Sequence, residues 1–348
     1  MSPSLTDNSA AGELMKITHI DVIKVKVPYH EGIYELMTRR NLYQIDYVYK
    51  VHTDVGLVGI GDGAHQSDEV VQRYIGRNPF EFMNGWAPTP LQQAFYDIMG
   101  KALGVPVHRL LGEKVHDKTS FGYWSIDMTP EEWAAEAKHA YALGYRLHKI
   151  KARPWFEVLE QVEAIASVVP DDYRLRVDAN DSFETPERTL EVARHLQNYN
   201  IESFETPIPQ ADIEGYQEIK RQTDMPITIH FGNPDPIEAI RAKMNDSFII
   251  AYPDSRAANA KREATISNAA HLPVWIQIVG LGITTAYVMH LAAVMPNATM
   301  PSMTLNALRA YDLVTPSTVP LVDGYATVPD KPGLGVELNE DALDNCRV

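Results

Sequence analysis

The sequence predicts an α/β barrel preceded by a small α+β unit, and two observations support this prediction. From about residue 119, strand-like segments alternate with segments of helical periodicity, a pattern that calls for parallel strands joined by crossover helices. Six successive strands also end near a polar residue, at steps of 27, 27, 25, 24 and 23 residues, close to one βα unit each. These residues are Lys151, Asp178, Glu205, His230, Asp254 and Gln277.

A doubly wound open sheet is the competing architecture for alternating strands and helices. Such a sheet gathers ligands at one switch point, whereas a barrel places functional groups at the carboxyl end of nearly every strand. The regular polar strand ends therefore favour the barrel.

The first third of the chain has no such repeat. KITHIDVIKVKVPY alternates apolar and polar residues as a half-buried strand does, and YQIDYVYKVHTDVGLVGIGDG predicts two strands joined by a turn. The intervening HEGIYELMTRRN has mixed polarity and is interpreted as a loop, and PLQQAFYDIMGKALG predicts a helix. These elements predict an α+β unit over residues 15–118, after a disordered lead-in at residues 1–14.

The remaining elements follow in order, beginning with the helix TPEEWAAEAKHAYALG. Thr129 is its predicted N-cap, Pro130 its first helical residue, and Gly144 its end. Six strands come next in the repeat, each separated by a predicted helix: RLHKIKA, RLRVDAN, IESFETP, PITIHFG, FIIAYPD and PVWIQIVG.

Composition excludes several classes of function. The net charge is -15, with no local cluster of basic residues, which disfavours nucleic acids and anionic membranes as partners. No apolar run approaches the roughly 20 residues of a membrane span. The single cysteine, Cys346, excludes an internal disulfide framework and suits a reducing cytoplasm, so we expect a cytoplasmic protein.

Lys149 and Lys151 alternate in a predicted strand, so their side chains point the same way. Two cations buried side by side disfavour each other's protonation, which leaves one amine free to act as a base. Asp178 and Glu205 supply the oxygen ligands that magnesium prefers. Solvated lysines, or an ion-paired cluster without a metal, are the alternatives that this pattern leaves open.

Several stretches together resemble the enolase superfamily, in its mandelate racemase and muconate lactonizing branch. They are VHTDVGLVGIGDG, LQQAFYDIMGKALGVPVHRLLGEK, the lysine pair, VDAN, FETPIP, HLPVWIQIVGLGITTAYVMHLAAVMPNA and VPDKPGLGVEL. The resemblance implies a modified (β/α)7β TIM barrel over residues 119–320, beneath an α+β capping domain at 15–118. Residues 321–348 would pack back on the capping domain.

The resemblance also implies a chemistry: removal of the proton alpha to a carboxylate, which gives an enediolate held on Mg²⁺. Lys151 would be the base, with Lys149 beside it contacting the substrate carboxylate, and Asp178 and Glu205 would hold the metal. A third carboxylate or amide ligand is expected where this chain has His230, and imidazole suits Mn²⁺ or Zn²⁺ better than Mg²⁺. His230 therefore ligates another metal, orients a ligand water, or gives way to nearby Asn233.

The opposite face of the substrate decides the reaction class. Asp254 resembles an aspartate that pairs with a seventh-strand histidine in mandelate racemase relatives, but here that strand, PVWIQIVG, has no histidine. A racemase needs proton donors on both faces, whereas elimination of water proceeds with one base. The prediction is a lyase that dehydrates a hydroxy or sugar acid. A racemase or epimerase in which Asp254 acts, and a catalytically silent carboxylate-binding barrel, are the alternatives.

Substrate specificity is expected from the capping segment and the barrel mouth. The predicted substrate contacts are Tyr29, Tyr34, Arg39, Arg40, Asn180 and Gln277. Asn180 shares the inward face with Asp178 and is expected to support the same site, while Trp124 and Trp275 line the pocket or fill the core. The expected partners are a small-molecule carboxylate and, by resemblance, further copies of this chain in a dimer or octamer.

Overall fold

The capping sheet opens the fold. The computed structural model describes residues 15–41, 45–155, 157–251 and 256–348. Strands β1 (Ile17–Val25), β2 (Asp46–Thr53) and β3 (Val58–Gly63) form an antiparallel sheet in the order β1-β2-β3. The sheet confirms the strands that alternating polarity predicts.

The segment between β1 and β2 is a helix, α1 (Glu31–Arg40), so its interpretation as a loop is wrong. Ile33, Leu36 and Met37 are buried along one face, at the spacing of a helix that packs on a core. Among the described residues, no side chain caps its first turn, so the usual sequence signal for a helix start is missing.

In the described residues of this part of the chain, a 3-10 helix (Pro79–Phe82) and three further α-helices follow: α2 (Asp68–Gln72), α3 (Thr89–Leu103) and α4 (Val107–Leu111). Helix α3 lies directly on β3 because Gly59 and Gly61 have no side chain. A Cβ at these two positions would lie 2.1 Å and 1.9 Å from backbone oxygens of α3. The glycines of VGIGDG therefore permit a close strand-helix contact.

The barrel begins after the short strand β4 (Lys118–Ser120). Its seven parallel strands are hydrogen-bonded in chain order, as the alternation predicts. They are β5 (Tyr123–Trp124), β6 (Leu147–Lys151), β7 (Arg174–Asp178), β8 (Ile201–Glu205), β9 (Ile227–His230), β10 (Ser247–Ala251) and β11 (Val274–Gln277).

Residues 302 and 303 close the barrel in the place of an eighth strand. Ser302 forms a parallel bridge with Phe121 beside β5, and Met303 forms one with Gln277 at the end of β11. This closure distinguishes the fold from an open sheet. Seven helices follow the seven strands: α5 (Pro130–Ala142), α6 (Val158–Ala166), α7 (Pro186–Leu196), α8 (Ile213–Gln222), α9 (Pro236–Ala242), α10 (Ala257–Ala269) and α11 (Gly282–Ala293).

A buried carboxylate joins the capping sheet to the barrel. Asp62 of β3 accepts hydrogen bonds from the backbone N–H groups of Leu281 and Thr284, both at 2.9 Å. It thereby caps the first turn of α11. Such a cap usually comes from the residue just before the helix, whereas here it comes from a strand of the capping sheet. The capping sheet is therefore fixed against the last barrel helix.

The end of the chain returns to the capping sheet. Its elements are β12 (Val314–Thr315), β13 (Tyr325–Thr327), β14 (Glu337–Leu338) and α12 (Glu340–Cys346). Arg347, just after α12, forms a bridge with Val25 of β1.

In the described part of the chain, every helix is too short or too polar to cross a bilayer.

Candidate active site

Four of the predicted site residues are the last residues of four neighbouring strands. Lys151, Asp178, Glu205 and His230 end β6, β7, β8 and β9. In the sheet register Lys151 is paired with Asp178, and Asp178 with Glu205. Because parallel strands end at one edge of the barrel, the four side chains meet at its carboxyl face, where barrel enzymes hold their active sites.

Lys149 lies one layer deeper and joins three of the strands. Its Nζ donates to Glu205 Oε1 at 2.6 Å and to Gln277 Oε1 at 2.6 Å, and lies 2.9 Å from Asp178 Oδ2. Its side chain has no exposed surface. Burial lowers the Lys149 pKa, whereas the neighbouring carboxylates of Asp178 and Glu205 raise it. The effect of burial is the larger, so the Lys149 pKa is lowered.

Lys151 lies at the cavity wall. Its Nζ donates to Asp178 Oδ2 and, at 2.8 Å, to Asn180 Oδ1. Its side chain is 11% exposed, while that of Asp178 has no exposed surface. The amine is therefore held by buried partners and still reaches the space where a substrate binds.

The two carboxylates have opposite pKa shifts. For Asp178, burial raises the pKa, but Lys149 and Lys151 together outweigh burial and hold it below its usual value. For Glu205, burial and the neighbouring Asp178 raise the pKa to about 7. Asp178 is thus the carboxylate that the two cations neutralise, and Glu205 retains a proton near neutrality until further positive charge arrives.

His230 is held in one tautomer by its neighbours. Gln210 Oε1 accepts from the His230 backbone N–H at 2.8 Å, which identifies that atom as the amide oxygen, and it lies 3.2 Å from His230 Nδ1. An amide oxygen only accepts hydrogen bonds, so Nδ1 bears the proton and Nε2 has the lone pair. Burial lowers the His230 pKa to about 4, which keeps the ring neutral at pH 7.

This donor set fits a divalent cation. The unprotonated His230 Nε2 lies 3.9 Å from Glu205 Oε1, and Glu205 Oε2 is buried with no hydrogen-bond partner among the described residues. Two electron-rich groups facing each other, with one orphaned carboxylate oxygen, are the environment that a metal ion satisfies. Asp178, Glu205 and His230 are the residues that would hold it, although their ligand atoms do not all lie within 4.8 Å of one another here. The imidazole suits Mn²⁺ or Zn²⁺ better than Mg²⁺.

A cavity of about 500 Å³ opens over this cluster. It is lined by Trp124, Ile126, Asp127, Lys151, Arg153, Asn180, His230, Ala251, Gln277 and Val279. Trp124 therefore lines the pocket, whereas Trp275 is fully buried and packs in the core. A cavity of this size, lined by both polar and apolar side chains, accommodates a small organic acid.

Two charged residues that line the cavity, Arg153 and Asp127, were not predicted from the sequence. Arg153 donates to Asn180 Oδ1 from Nη1 and to Asp127 Oδ1 from Nε, both at 3.0 Å. Asp127 Oδ2 also accepts a hydrogen bond from Arg40 Nη1 at 2.9 Å. This bond connects helix α1 to the barrel mouth. The alternation of Lys149 and Lys151 extends to Arg153, and this spacing was the available signal for it.

Tyr29, Tyr34 and Arg39, predicted as substrate contacts, are not among the residues that line the cavity. Tyr29 is 3% exposed and stacks under the Arg309 guanidinium at 4.2 Å, so its ring packs in the capping domain and does not line the cavity. Tyr34 and Arg39 are exposed on α1. Asp254 lies outside the described residues.

Comparisons with known proteins place the chain in a family. Residues 132–342 match the family model described as enolase C-terminal domain-like. N-succinyl-L-Arg/Lys racemase of Bacillus cereus is 25% identical, over 96% of this chain and 98% of that protein. Arabinonate dehydratase of Saccharolobus solfataricus is 27% identical, over 72% of this chain and 69% of that protein.

A solved structure of a family member has the same fold. The mandelate racemase/muconate lactonizing family protein from Azoarcus sp. EbN1 superposes with a TM-score of 0.75 and 25% identity, over 96% of this chain and 97% of that one. The relatives thus include both racemases and dehydratases.

Proposed function

Because the chain belongs to the mandelate racemase and muconate lactonizing branch of the enolase superfamily, we propose that it dehydrates a small hydroxy acid, of the sugar-acid type, by removing the proton alpha to its carboxylate. The observation that carries this proposal is the Lys151 amine. It lines the cavity while its partners Asp178 and Asn180 hold it from one side.

The proton alpha to a carboxylate is weakly acidic, so its removal requires a positioned base and positive charge near the carboxylate. Lys151, as the base, would take the proton, leaving an enediolate. Lys149, buried behind it, keeps a positive charge beneath the reacting carboxylate. A divalent cation held by Asp178, Glu205 and His230 would supply the larger share of that charge.

Loss of water completes the reaction. The enediolate expels the β-hydroxyl as its carbon–oxygen bond breaks, and the ammonium of Lys151 returns the proton to the departing oxygen. The enol that remains tautomerises to a 2-keto-3-deoxy acid, so one base serves both steps.

Gln277 favours elimination over inversion. It ends β11, where a second proton donor would act on the opposite face, and its amide neither takes up nor releases a proton at neutral pH. Arg153, paired with Asp127, would bind the hydroxyl or carboxylate groups distal to the reacting carbon. The substrate class is therefore a polyhydroxy acid.

Racemization is the second candidate, favoured by the B. cereus racemase, which matches nearly the whole chain. It would require Asp254 as the acid on the opposite face. A cytoplasmic location and a dimeric or octameric assembly remain predictions from the sequence.

Proton exchange in deuterated water tests the proposal. The protein is incubated with a panel of aldonic and aldaric acids in the presence of Mn²⁺ or Mg²⁺, and proton NMR follows the alpha position while a keto-acid reagent detects dehydration. Lys151→Met should lower both signals by roughly 100-fold or more, since it removes the base and keeps the side-chain length. Exchange that persists in Lys151→Met would refute the assignment of the base.

The products then separate the candidates. A keto acid supports dehydration, whereas exchange with inverted configuration and no keto acid supports racemization. Binding of acids without exchange of any of them would establish a carboxylate-binding barrel and overturn the enzymatic proposal.

A further inference from the structure

Three potential metal ligands meet on the exposed face of the capping sheet, away from the barrel strand ends. His19 of β1 is paired with His52 of β2, and Asp21 lies two residues along β1 on the same face. One ligand atom from each lies within 4.8 Å of those of the other two. The two imidazole rings stack with centroids 4.0 Å apart.

A threonine fixes the tautomer of His19. The Thr18 hydroxyl donates to the backbone carbonyl of His52 at 3.2 Å, and its oxygen lies 3.2 Å from His19 Nδ1. Because the hydroxyl proton is used on the carbonyl, His19 Nδ1 is the donor in the second contact. The lone pair of His19 is therefore on Nε2, the state that a metal-ligating histidine adopts when its other nitrogen is anchored.

The second histidine already faces the carboxylate. His52 Nε2 lies 2.9 Å from Asp21 Oδ2, with 25% and 46% of the two side chains exposed. Lys50, the strand partner of Asp21, is drawn away from it by Glu340, whose oxygens lie 2.6 and 2.8 Å from Lys50 Nζ. The Asp21 carboxylate thus faces two imidazoles without a competing lysine.

We propose that His19, Asp21 and His52 form a surface site for a divalent transition-metal ion such as Zn²⁺. Two imidazole nitrogens and one carboxylate oxygen are the ligand set that zinc takes in three-ligand sites, with the fourth position left to water. Mg²⁺ is a poor fit because it prefers oxygen ligands. A bound ion would link β1 to β2 and hold their register.

Zinc titration by calorimetry tests the site in the full-length protein. The protein is first saturated with Mg²⁺, and zinc is then added to wild type, His19→Asn and His52→Asn. Wild type should bind one more equivalent of zinc than either variant. Zinc taken up by the barrel is equal in all three proteins, so the difference isolates the surface site.

Two further variants sharpen the test. Thr18→Val retains all three ligands and removes the anchor of His19, so it should weaken zinc binding by about tenfold. His195→Asn, on the exposed surface of α7, removes an unrelated histidine and should leave zinc binding unchanged. Equal zinc stoichiometry and affinity in wild type, His19→Asn and His52→Asn would overturn the proposal.

A measurement on the wild-type protein avoids any dependence on how the variants fold. Diethylpyrocarbonate modifies accessible neutral imidazoles, and mass spectrometry locates the modified residues. With the barrel site already occupied, one further equivalent of zinc should protect His19 and His52 while His195 stays reactive. Unchanged modification of His19 and His52 in the presence of zinc would refute the site.

Discussion

Replacing Glu205 by glutamine should stabilise the metal-free protein at alkaline pH. The Glu205 carboxyl is fully buried, and burial together with Asp178 raises its pKa from 4.5 to about 7. The folded chain therefore keeps this proton to a higher pH than the unfolded chain does. Consequently the free energy of unfolding falls as the pH rises from about 4.5 to about 7, and no further loss occurs above that range.

The magnitude follows from the two pKa values. Linkage between 4.5 and about 7 gives a loss of roughly 0.8 kcal/mol at pH 5 and roughly 3.3 kcal/mol at pH 8, both relative to strongly acidic solution. The difference between these two pH values is about 2.5 kcal/mol. Glutamine cannot ionise and still accepts a hydrogen bond from Lys149, so Glu205→Gln should lack this loss.

Urea unfolding in EDTA, followed by tryptophan fluorescence at pH 5 and pH 8, measures the effect. From pH 5 to pH 8, the free energy of unfolding of Glu205→Gln should rise by about 2.5 kcal/mol relative to that of wild type, with equal denaturant slopes. Asp178→Asn is the matched control: the lysines lower the Asp178 pKa, so its ionised form stabilises the fold throughout this range, and the variant should lose the same stability at pH 5 and at pH 8. A wild-type minus Glu205→Gln difference that is independent of pH would refute the reasoning.

Three other predictions concern the neighbours of the site. Gln210→Leu removes the acceptor that fixes His230 and should weaken Mn²⁺ binding by about 10- to 100-fold in calorimetry, while an unchanged affinity would show that the metal does not depend on His230. Arg153→Gln should raise KM for an accepted acid by roughly tenfold or more, with Arg39→Gln, an exposed α1 position, as the control that stays near wild type. Asp62→Ala removes the cap of α11 and should lower the free energy of unfolding by about 2 kcal/mol in urea titrations, and an unchanged midpoint would contradict that role.

The barrel was predictable because its signals are periodic. Alternating strands and helices, with a polar residue at each strand end, placed Lys151, Asp178, Glu205 and His230 on one face, and the sheet register brings them there. Parallel pairing fixes this outcome irrespective of loop details. Helix α1 was missed because only Ile33, Leu36 and Met37 mark its buried face, in a segment of mixed polarity that lacks a capping side chain.

Other parts of the candidate site depend on contacts that periodicity cannot predict. Gln210 follows β8, yet its amide holds both the backbone and the ring of His230 on β9. Asp127 likewise connects Arg40 of α1 to Arg153 after β6. Such contacts join residues far apart in the chain, and loop geometry, which sequence patterns do not specify, decides whether they form.

Charge balance explains why a histidine can stand where a third acidic ligand is expected. Lys149 and Lys151 balance the charges of Asp178 and Glu205 once Glu205 is ionised, and three of these side chains are fully buried while that of Lys151 is 11% exposed. A third carboxylate at position 230, where the side chain is 34% exposed, would leave one uncompensated negative charge beside the cluster. Neutral His230 adds a lone pair without a charge, so it leaves this balance unchanged. A divalent cation then creates an excess of about two positive charges, which matches the dianion formed when a carboxylate loses its alpha proton.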